Sequence, residues 1–382
     1  MNLPILTVNT SITPDINRSD KLALIQLFRG LAALIVLLYH TSTLYATNLN
    51  HSVLNNSFKF GKAGVDFFFV LSGFIIYTIH QHDLGVKDRV YYFISKRLIR
   101  IFPLYWLMLI PKLLIKTYSA LTILGALFLL PHPQSPVLNV SWTLSYELFF
   151  YACFSLLIFN KSSSLKYLLL SYGGFIFLYW TSGLLLGDVP KLLHSSHSFI
   201  ISYHHTEFLF GLAAAYLFSH SLLTQFRYWL LASGLVLFVT ASLYTVINVN
   251  QIALEQGVDL ITRSEDLKTV TENYSYLFFG IPSFLIILGS AHIDKLDKWN
   301  VPTGLLFIGN ASYAIYLTHS SLINAETLLL KSIWPHNLAI TVLPIMLVAL
   351  LFGMLVHRYI ETPILNKLNH TIKRFKVARP TL

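Results

Sequence analysis

Cysteine is nearly absent: Cys153 is the single one in 382 residues, which excludes a disulfide framework and a cysteine-based zinc site. Charge is scarce as well. Asp, Glu, Lys and Arg make up 12% of the chain and hydrophobic residues 55%, against roughly 25% charged in soluble domains. A compact soluble enzyme is thereby excluded, and so is a disordered chain, which needs low hydrophobicity and high charge. Acidic residues are the scarcest charged class, 17 against 27 Lys and Arg, for a net charge of +10. In so apolar a chain that excess has a simpler cause than nucleic acid, because basic residues gather in the loops on one face of a membrane protein. No nucleic-acid partner is expected. A repeat of fixed period, a Gly-Ser linker and an appended soluble domain are also missing, so one integral membrane domain is expected.

Long apolar runs fill the chain instead. A membrane-crossing helix needs about 20 apolar residues, and ten runs qualify: 22–45, 64–80, 98–115, 141–159, 167–186, 199–218, 228–247, 274–291, 305–323 and 338–356. An eleventh, 119–130, would rise only about 18 Å as a helix, against a hydrocarbon core of about 30 Å. It is expected to be re-entrant or interfacial. The fold class is thus all-α, a polytopic bundle of about ten transmembrane helices. The expected layout is a cytoplasmic tail over 1–21, a transmembrane domain over 22–358 and a basic cytoplasmic tail over 359–382. The first twenty residues are polar and carry no removable signal pattern.

Charge tests the count. Ten crossings put both termini on one side, and then eighteen Lys and Arg lie on that side, eight on the other, and Arg29 alone inside a span. The positive-inside rule favours this layout over eleven crossings, which would move the basic C-terminal tail outside. The longest outer loop, 248–273, holds Glu255, Asp259, Glu265, Asp266 and Glu272.

Ionisable residues inside a membrane are costly, about 2.5–3.5 kcal/mol each on insertion scales, and they face the bundle interior where they act. Arg29 and His40 are eleven residues apart, 1100° of helix and about 20° from three full turns, so they share one face about 16 Å apart. A snorkelling arginine and a packed histidine are the plainer alternatives. In the second span Asp66 lies near the outer boundary, where a helix cap is its plain role. Ser72 and Gly73 fall near mid-membrane, where small residues permit close helix approach or the passage of a substrate chain. Arg97 and Arg100 share a face at the cytoplasmic mouth of the third span. Paired arginines suit phosphate recognition, while anchoring at the membrane surface is the commoner use. Glu147 enters from outside to about 10 Å depth, level with His40 and Asp66. An imidazole beside a carboxylate in a low-dielectric site is a usable base. His204, His205, Glu207 and His319 are further outer-half groups. His204 and Glu207 could share a metal, but no third ligand stands at a useful spacing, and no metal is expected.

These residues resemble the acyltransferase 3 family of membrane proteins. Arg29 to His40 is similar to its arginine, ten residues, histidine signature. Residues 64–74, GVDFFFVLSGF, 97–106, RLIRIFPLYW, and 141–147, SWTLSYE, resemble its next three motifs in order. Weaker similarity continues through 207–211, 309–319 and 359–363, so the resemblance covers nearly the whole chain. The stretch 142–151 looks most like proteins that acetylate bacterial exopolysaccharides. The resemblance implies O-acylation of a carbohydrate, lipid-linked or polymeric, by acyl-coenzyme A, with acetyl-coenzyme A the expected donor. The expected place is a bacterial inner membrane, among its lipids, with both termini cytoplasmic. Some relatives carry a fused extracytoplasmic esterase-like domain. This chain is expected to lack one, and so to transfer directly or to hand the acyl group to a separate extracytoplasmic protein.

On that reading Arg97 and Arg100 bind coenzyme A phosphates and Arg29 steadies the donor arm, with Ser72 and Gly73 beside it. His40 is the general base or a transient acyl carrier, oriented by Glu147 or Asp66. Buried Arg, His, Asp and Glu also describe a proton-coupled transporter, and a scaffold of a polysaccharide assembly complex is a third class.

Overall fold

The computed structural model describes residues 22–49, 56–131, 137–160, 163–186, 199–255, 270–297, 299–333 and 342–377. The expected N-terminal tail, residues 378–382 of the C-terminal tail, and Asp259, Glu265 and Asp266 of the acidic loop lie outside them. Among the described residues every regular element is a helix. They run α1 Ala23–Leu49, α2 Ala63–His80, α3 Arg89–Ile115, α4 Ala120–Phe128, α5 Trp142–Phe159, α6 Ser163–Leu186 and α7 His204–Ser219. There follow α8 Arg227–Glu255, the single turn α9 Val270–Asn273, α10 Ile281–Asp297, α11 Thr303–Ile333, α12 Val342–Val356 and α13 Thr362–Val377. A π-helical turn, Tyr276–Gly280, leads into α10, and another, His357–Glu361, joins α12 to α13.

The ten expected crossings coincide with α1, α2, α3, α5, α6, α7, α8, α10, α11 and α12. Seven helical stretches of the described residues are long and apolar enough to cross a membrane by themselves. Two that fall short do so for visible reasons. α7 has 16 residues, and α11 places Asn310, Ser312, Thr318 and His319 in its apolar stretch. The short run forms α4, nine residues or about 14 Å of helix, too short to cross. Ser119 caps its N-terminus by accepting from the Thr122 N–H, and Leu129 ends it in the left-handed region at φ 54°. Its C-terminal end hangs on α3, where Tyr105 Oη and Trp106 Nε1 donate to the Ala126 and Leu127 carbonyls at 2.6 and 2.9 Å. Leu, Val and Ile side chains stay exposed along α6, α8 and α12, among them Leu168, Val236, Leu243, Leu347 and Leu355. That surface is the one lipid covers.

Polar ties hold one end of the bundle, here the near end, where α1 begins. Asp294, in the last turn of α10, accepts the Leu24 N–H at 2.9 Å and the Ile25 N–H at 3.3 Å, capping α1 from 270 residues away. Arg227 at the start of α8 pairs with Asp297 at 2.9 Å, and Lys96 Nζ of α3 donates to Asn369 Oδ1 of α13 at 2.6 Å. The start of α1 and the helix α13 thus lie at one end, as an even number of crossings requires. Residues 362–377, expected as part of a tail, form α13 and pack on α3.

Two crossings fix the geometry of the site. Where α1 meets α11, a Cβ on Gly309 would sit 2.1 Å from the Gln26 carbonyl oxygen. Where α2 meets α7, a Cβ on Gly211 would sit 1.9 Å from the Val70 oxygen, and one on Gly73 2.2 Å from the Phe208 oxygen. Only glycine allows backbones this close. Both helices of each pair are therefore pinned in depth.

Candidate active site

A cavity of about 220 Å³ opens between α1, α2, α3, α5 and α11. Its ionisable lining is Arg29, Arg97, Arg100, Glu147, Tyr151, Tyr313 and Tyr316, with Ser72 and Thr143 beside them. Helix period puts them there. On α5, Thr143, Glu147 and Tyr151 follow at intervals of four, and on α2, Phe68, Ser72 and Ile75 follow at four and three, each set one stripe of its helix. Tyr151 Oη donates to Glu147 Oε1 at 2.6 Å and Ser72 Oγ reaches the same oxygen at 3.4 Å. Arg100 pairs with Glu361 of the second π-turn, which also holds His357 Nδ1 at 2.7 Å. Arg29 lies within electrostatic range of Arg100, Glu361 and Glu147. Arg97 is different: its guanidinium lies over the Phe93 and Tyr151 rings, at 5.6 and 5.7 Å, and its buried Nε has no hydrogen-bond partner. Three guanidinium groups face two carboxylates, and one buried N–H is left over. This is a donor set for a phosphate-bearing ligand. The cavity is smaller than the about 300–1,000 Å³ of a pocket that encloses a drug-sized ligand, so it has room for an arm of such a ligand and not for its whole body.

Toward the far end the cavity wall is Val65, Phe68 and Tyr316. Tyr316 Oη is held by Thr143 Oγ1 at 2.9 Å and donates to the Val140 carbonyl at 3.1 Å. Its ring stands 5.8 Å from the ring of His319, and His319 touches His40, with Nε2 3.2 Å from His40 Nδ1. Hydrogen bonding fixes the tautomers. His319 Nδ1 lies 3.0 Å from the Ile315 carbonyl and donates to it, which leaves its Nε2 with a lone pair. His40 Nδ1 lies 3.0 Å from the Val36 carbonyl, so Nδ1 carries the proton and shares it between Val36 and His319. The lone pair of His40 is then on Nε2. A histidine with one ring nitrogen held and the other unprotonated is poised to take a proton. The Gly309 crossing explains the meeting: α1 and α11 touch at Gly30 and Gly309, and each carries a histidine ten residues further on.

The sequence-derived residues are thus distributed over three places. Arg29, Arg97, Arg100, Ser72 and Glu147 line one cavity. His40 pairs with His319, which the sequence did not single out as its partner. Neither Glu147 nor Asp66 is a hydrogen-bond partner of His40, contrary to the expected orienting carboxylate. The reason for Asp66 is its helix face: it precedes Gly73 by seven residues, 700° of helix and about 20° from two full turns. Asp66 therefore shares the stripe that Gly73 presses onto α7. Gly73, expected beside the donor, lies in that α2–α7 contact and off the cavity. Asp66 meets Glu207 and His204 of α7 instead. His204 Nδ1 is 2.9 Å from Glu207 Oε2, and Ser275 Oγ donates to Asp66 Oδ1 at 2.6 Å. Tyr151, Tyr313, Tyr316 and Glu361 went unremarked as site residues; the four-residue spacing of Tyr151 from Glu147 and the place of Tyr316 three residues before His319 were the available signals.

A bundle of long apolar helices that leaves leucine, valine and isoleucine side chains exposed and carries arginines on an internal cavity defines a multi-pass membrane protein. The chain belongs to the acyltransferase domain family, whose model matches residues 22–359. It is 37% identical over 115 residues to the exopolysaccharide production protein ExoZ of Rhizobium meliloti (strain 1021), a match that covers 26% of this chain and 34% of that protein. The matched stretch is thus about a third of that relative's length. No solved structure matches.

Proposed function

We propose that the protein is a membrane O-acetyltransferase that moves an acetyl group from acetyl-coenzyme A to a hydroxyl of an exported carbohydrate, an exopolysaccharide. The observation that carries this reading is the continuity from Arg97 and Arg100 through the cavity to Tyr316, whose ring adjoins the His319–His40 pair. The near end, rich in Lys and Arg, faces the cytoplasm, where acyl-coenzyme A is available. Arg97, with its unpartnered Nε, and Arg29 receive phosphates and the donor arm, while Glu361 holds Arg100 in place. Glu147, fixed by Tyr151, balances the guanidinium charge and lines the path.

His40 Nε2 takes the proton of the acceptor hydroxyl as its oxygen attacks the thioester carbonyl. The tetrahedral adduct collapses with cleavage of the C–S bond, and the imidazolium returns the proton to the departing thiolate. An ester and a free thiol result. His319 takes the part expected of Glu147 or Asp66: it accepts from Nδ1 of His40 and keeps the lone pair on Nε2, as the carboxylate does in a triad. The relative named for exopolysaccharide production supports the acceptor class. The test is proton NMR of the polysaccharide from cells with and without the gene, before and after mild alkali. Loss of an alkali-labile acetyl signal without the gene is expected, and identical spectra would overturn the reading.

A further inference from the structure

Asp66, His204 and Glu207 play no part in the transfer chemistry above, yet they converge at the far end of the bundle. All three are buried, at 4%, 8% and 0% exposure. One donor atom of each lies within 4.8 Å of the others, the only such set of three among the described residues. Each carboxylate separately suits its place in the first turn of a helix, where the macrodipole favours negative charge. Their facing one another is not explained that way. The Asp66 and Glu207 carboxyls are within hydrogen-bonding reach of each other, acceptor against acceptor. The His204 imidazole lies on Glu207 Oε2, and the Ser275 hydroxyl donates to Asp66 Oδ1 and stands within reach of Glu207, with Tyr203 beside both carboxyls. Glu207 Oε1, fully buried, has no hydrogen-bond partner. A buried carboxylate oxygen with no donor costs more than an unsatisfied neutral group does.

We infer that Asp66, His204 and Glu207 bind a divalent transition-metal ion, zinc by donor chemistry, that ties α2 to α7 at the far end. One imidazole nitrogen and two carboxylate oxygens suit zinc better than calcium or magnesium, which take oxygen alone. Three protein donors are also the number in zinc sites that keep a position open. The surroundings fit. The rings of Phe69, Trp142, Tyr146 and Tyr203 stand 4.3–5.3 Å from that of His204, an apolar shell that excludes water and strengthens the attraction of ion for carboxylate. Ser275, bonded to Asp66, stands immediately before the π-turn Tyr276–Gly280, and such turns are concentrated at functional sites. Gly280 leaves room for the ligand arm: a Cβ there would come to 3.3 Å from Glu207 Cγ. The third ligand comes from a helix about 140 residues away in sequence, which is why spacing alone does not show it.

The test uses the full chain purified in detergent without chelators. Metal content is read by inductively coupled plasma mass spectrometry, and melting temperature before and after 1,10-phenanthroline and after added Zn²⁺. About one zinc per chain is expected, with a melting temperature that falls on chelation and recovers with Zn²⁺, as a ligand of the folded state requires. Glu207→Gln and His204→Ala are expected to lose the ion while His40→Ala keeps it. Wild-type protein free of metal, with a melting temperature indifferent to Zn²⁺ and chelator, overturns the inference and assigns the Asp66–Glu207 contact to a shared proton. Undiminished zinc in both ligand variants overturns it equally. None of these readouts depends on acyl transfer, so the site and the proposed reaction fail separately.

Discussion

The two ends of the proposed route are built on different electrostatics. At the near end, three guanidinium groups share two carboxylates, and Arg97 keeps a buried N–H without a partner. At the far end, His40 and His319 each bond a carbonyl four residues back on their own helix. Their rings need no formal charge to satisfy one another. On the proposed reading the near end is completed by an anion and the far end by a proton. Binding and chemistry would then be separated along the bundle axis by about 16 Å, the rise from Arg29 to His40. Variants should separate as well, donor KM at one end and kcat at the other.

The sharpest break in that comparison is His40→Ala. It is expected to lower kcat by about 10²–10⁴-fold, the usual contribution of a general base, with donor KM unchanged in vesicles given labelled acetyl-coenzyme A. A raised donor KM at constant kcat would move His40 to the binding end. Arg97→Ala should do the reverse, raising donor KM by about 10–100-fold, the equivalent of roughly 1.5–3 kcal/mol for a hydrogen bond to a charged group. Initial rates across donor concentration decide it. Gly309→Ala pushes a Cβ into the Gln26 carbonyl and separates α1 from α11. It should cost about 1–3 kcal/mol of stability, read as a lower melting temperature, and should lower kcat because the two histidines part. His319→Phe keeps a ring but removes the acceptor for His40 Nδ1. Since Val36 still holds that proton, kcat should fall only about fivefold, near 1 kcal/mol, and His319→Gln should restore part of the loss.

Much of the architecture is legible in the residues. The ten apolar runs coincide with helices, and the run of 119–130, too short to cross, forms the nine-residue α4. Arg29, Arg97, Arg100 and Ser72 line one cavity, and Glu147, expected level with His40, lines the same cavity, bonded to Ser72 and Tyr151. What failed was partnership. The 3.6-residue period tells which residues of one helix share a stripe, and it is silent on which helix that stripe meets. Depth agreement alone brought Asp66 toward His40, although its register with Gly73 sets it on the α7 side. His319 lies 279 residues from His40, and a contact so distant leaves no trace in either helix's pattern. Its only visible signal was a pair of equal intervals, Gly30 to His40 and Gly309 to His319, which acquire meaning once the two glycines are known to touch. Glu361 stayed hidden in the same way, at the junction of α12 and α13 across from Arg100.

The central claim is that a base near the far end acts on a donor received at the near end. Inverted membrane vesicles carrying the wild type, His40→Ala or Arg97→Ala, supplied with radiolabelled acetyl-coenzyme A and carbohydrate acceptor, test it directly. The account predicts labelled carbohydrate from the wild type, about 10²–10⁴-fold less from His40→Ala at every donor concentration, and recovery of Arg97→Ala at high donor. Label transfer by His40→Ala at the wild-type rate would contradict it.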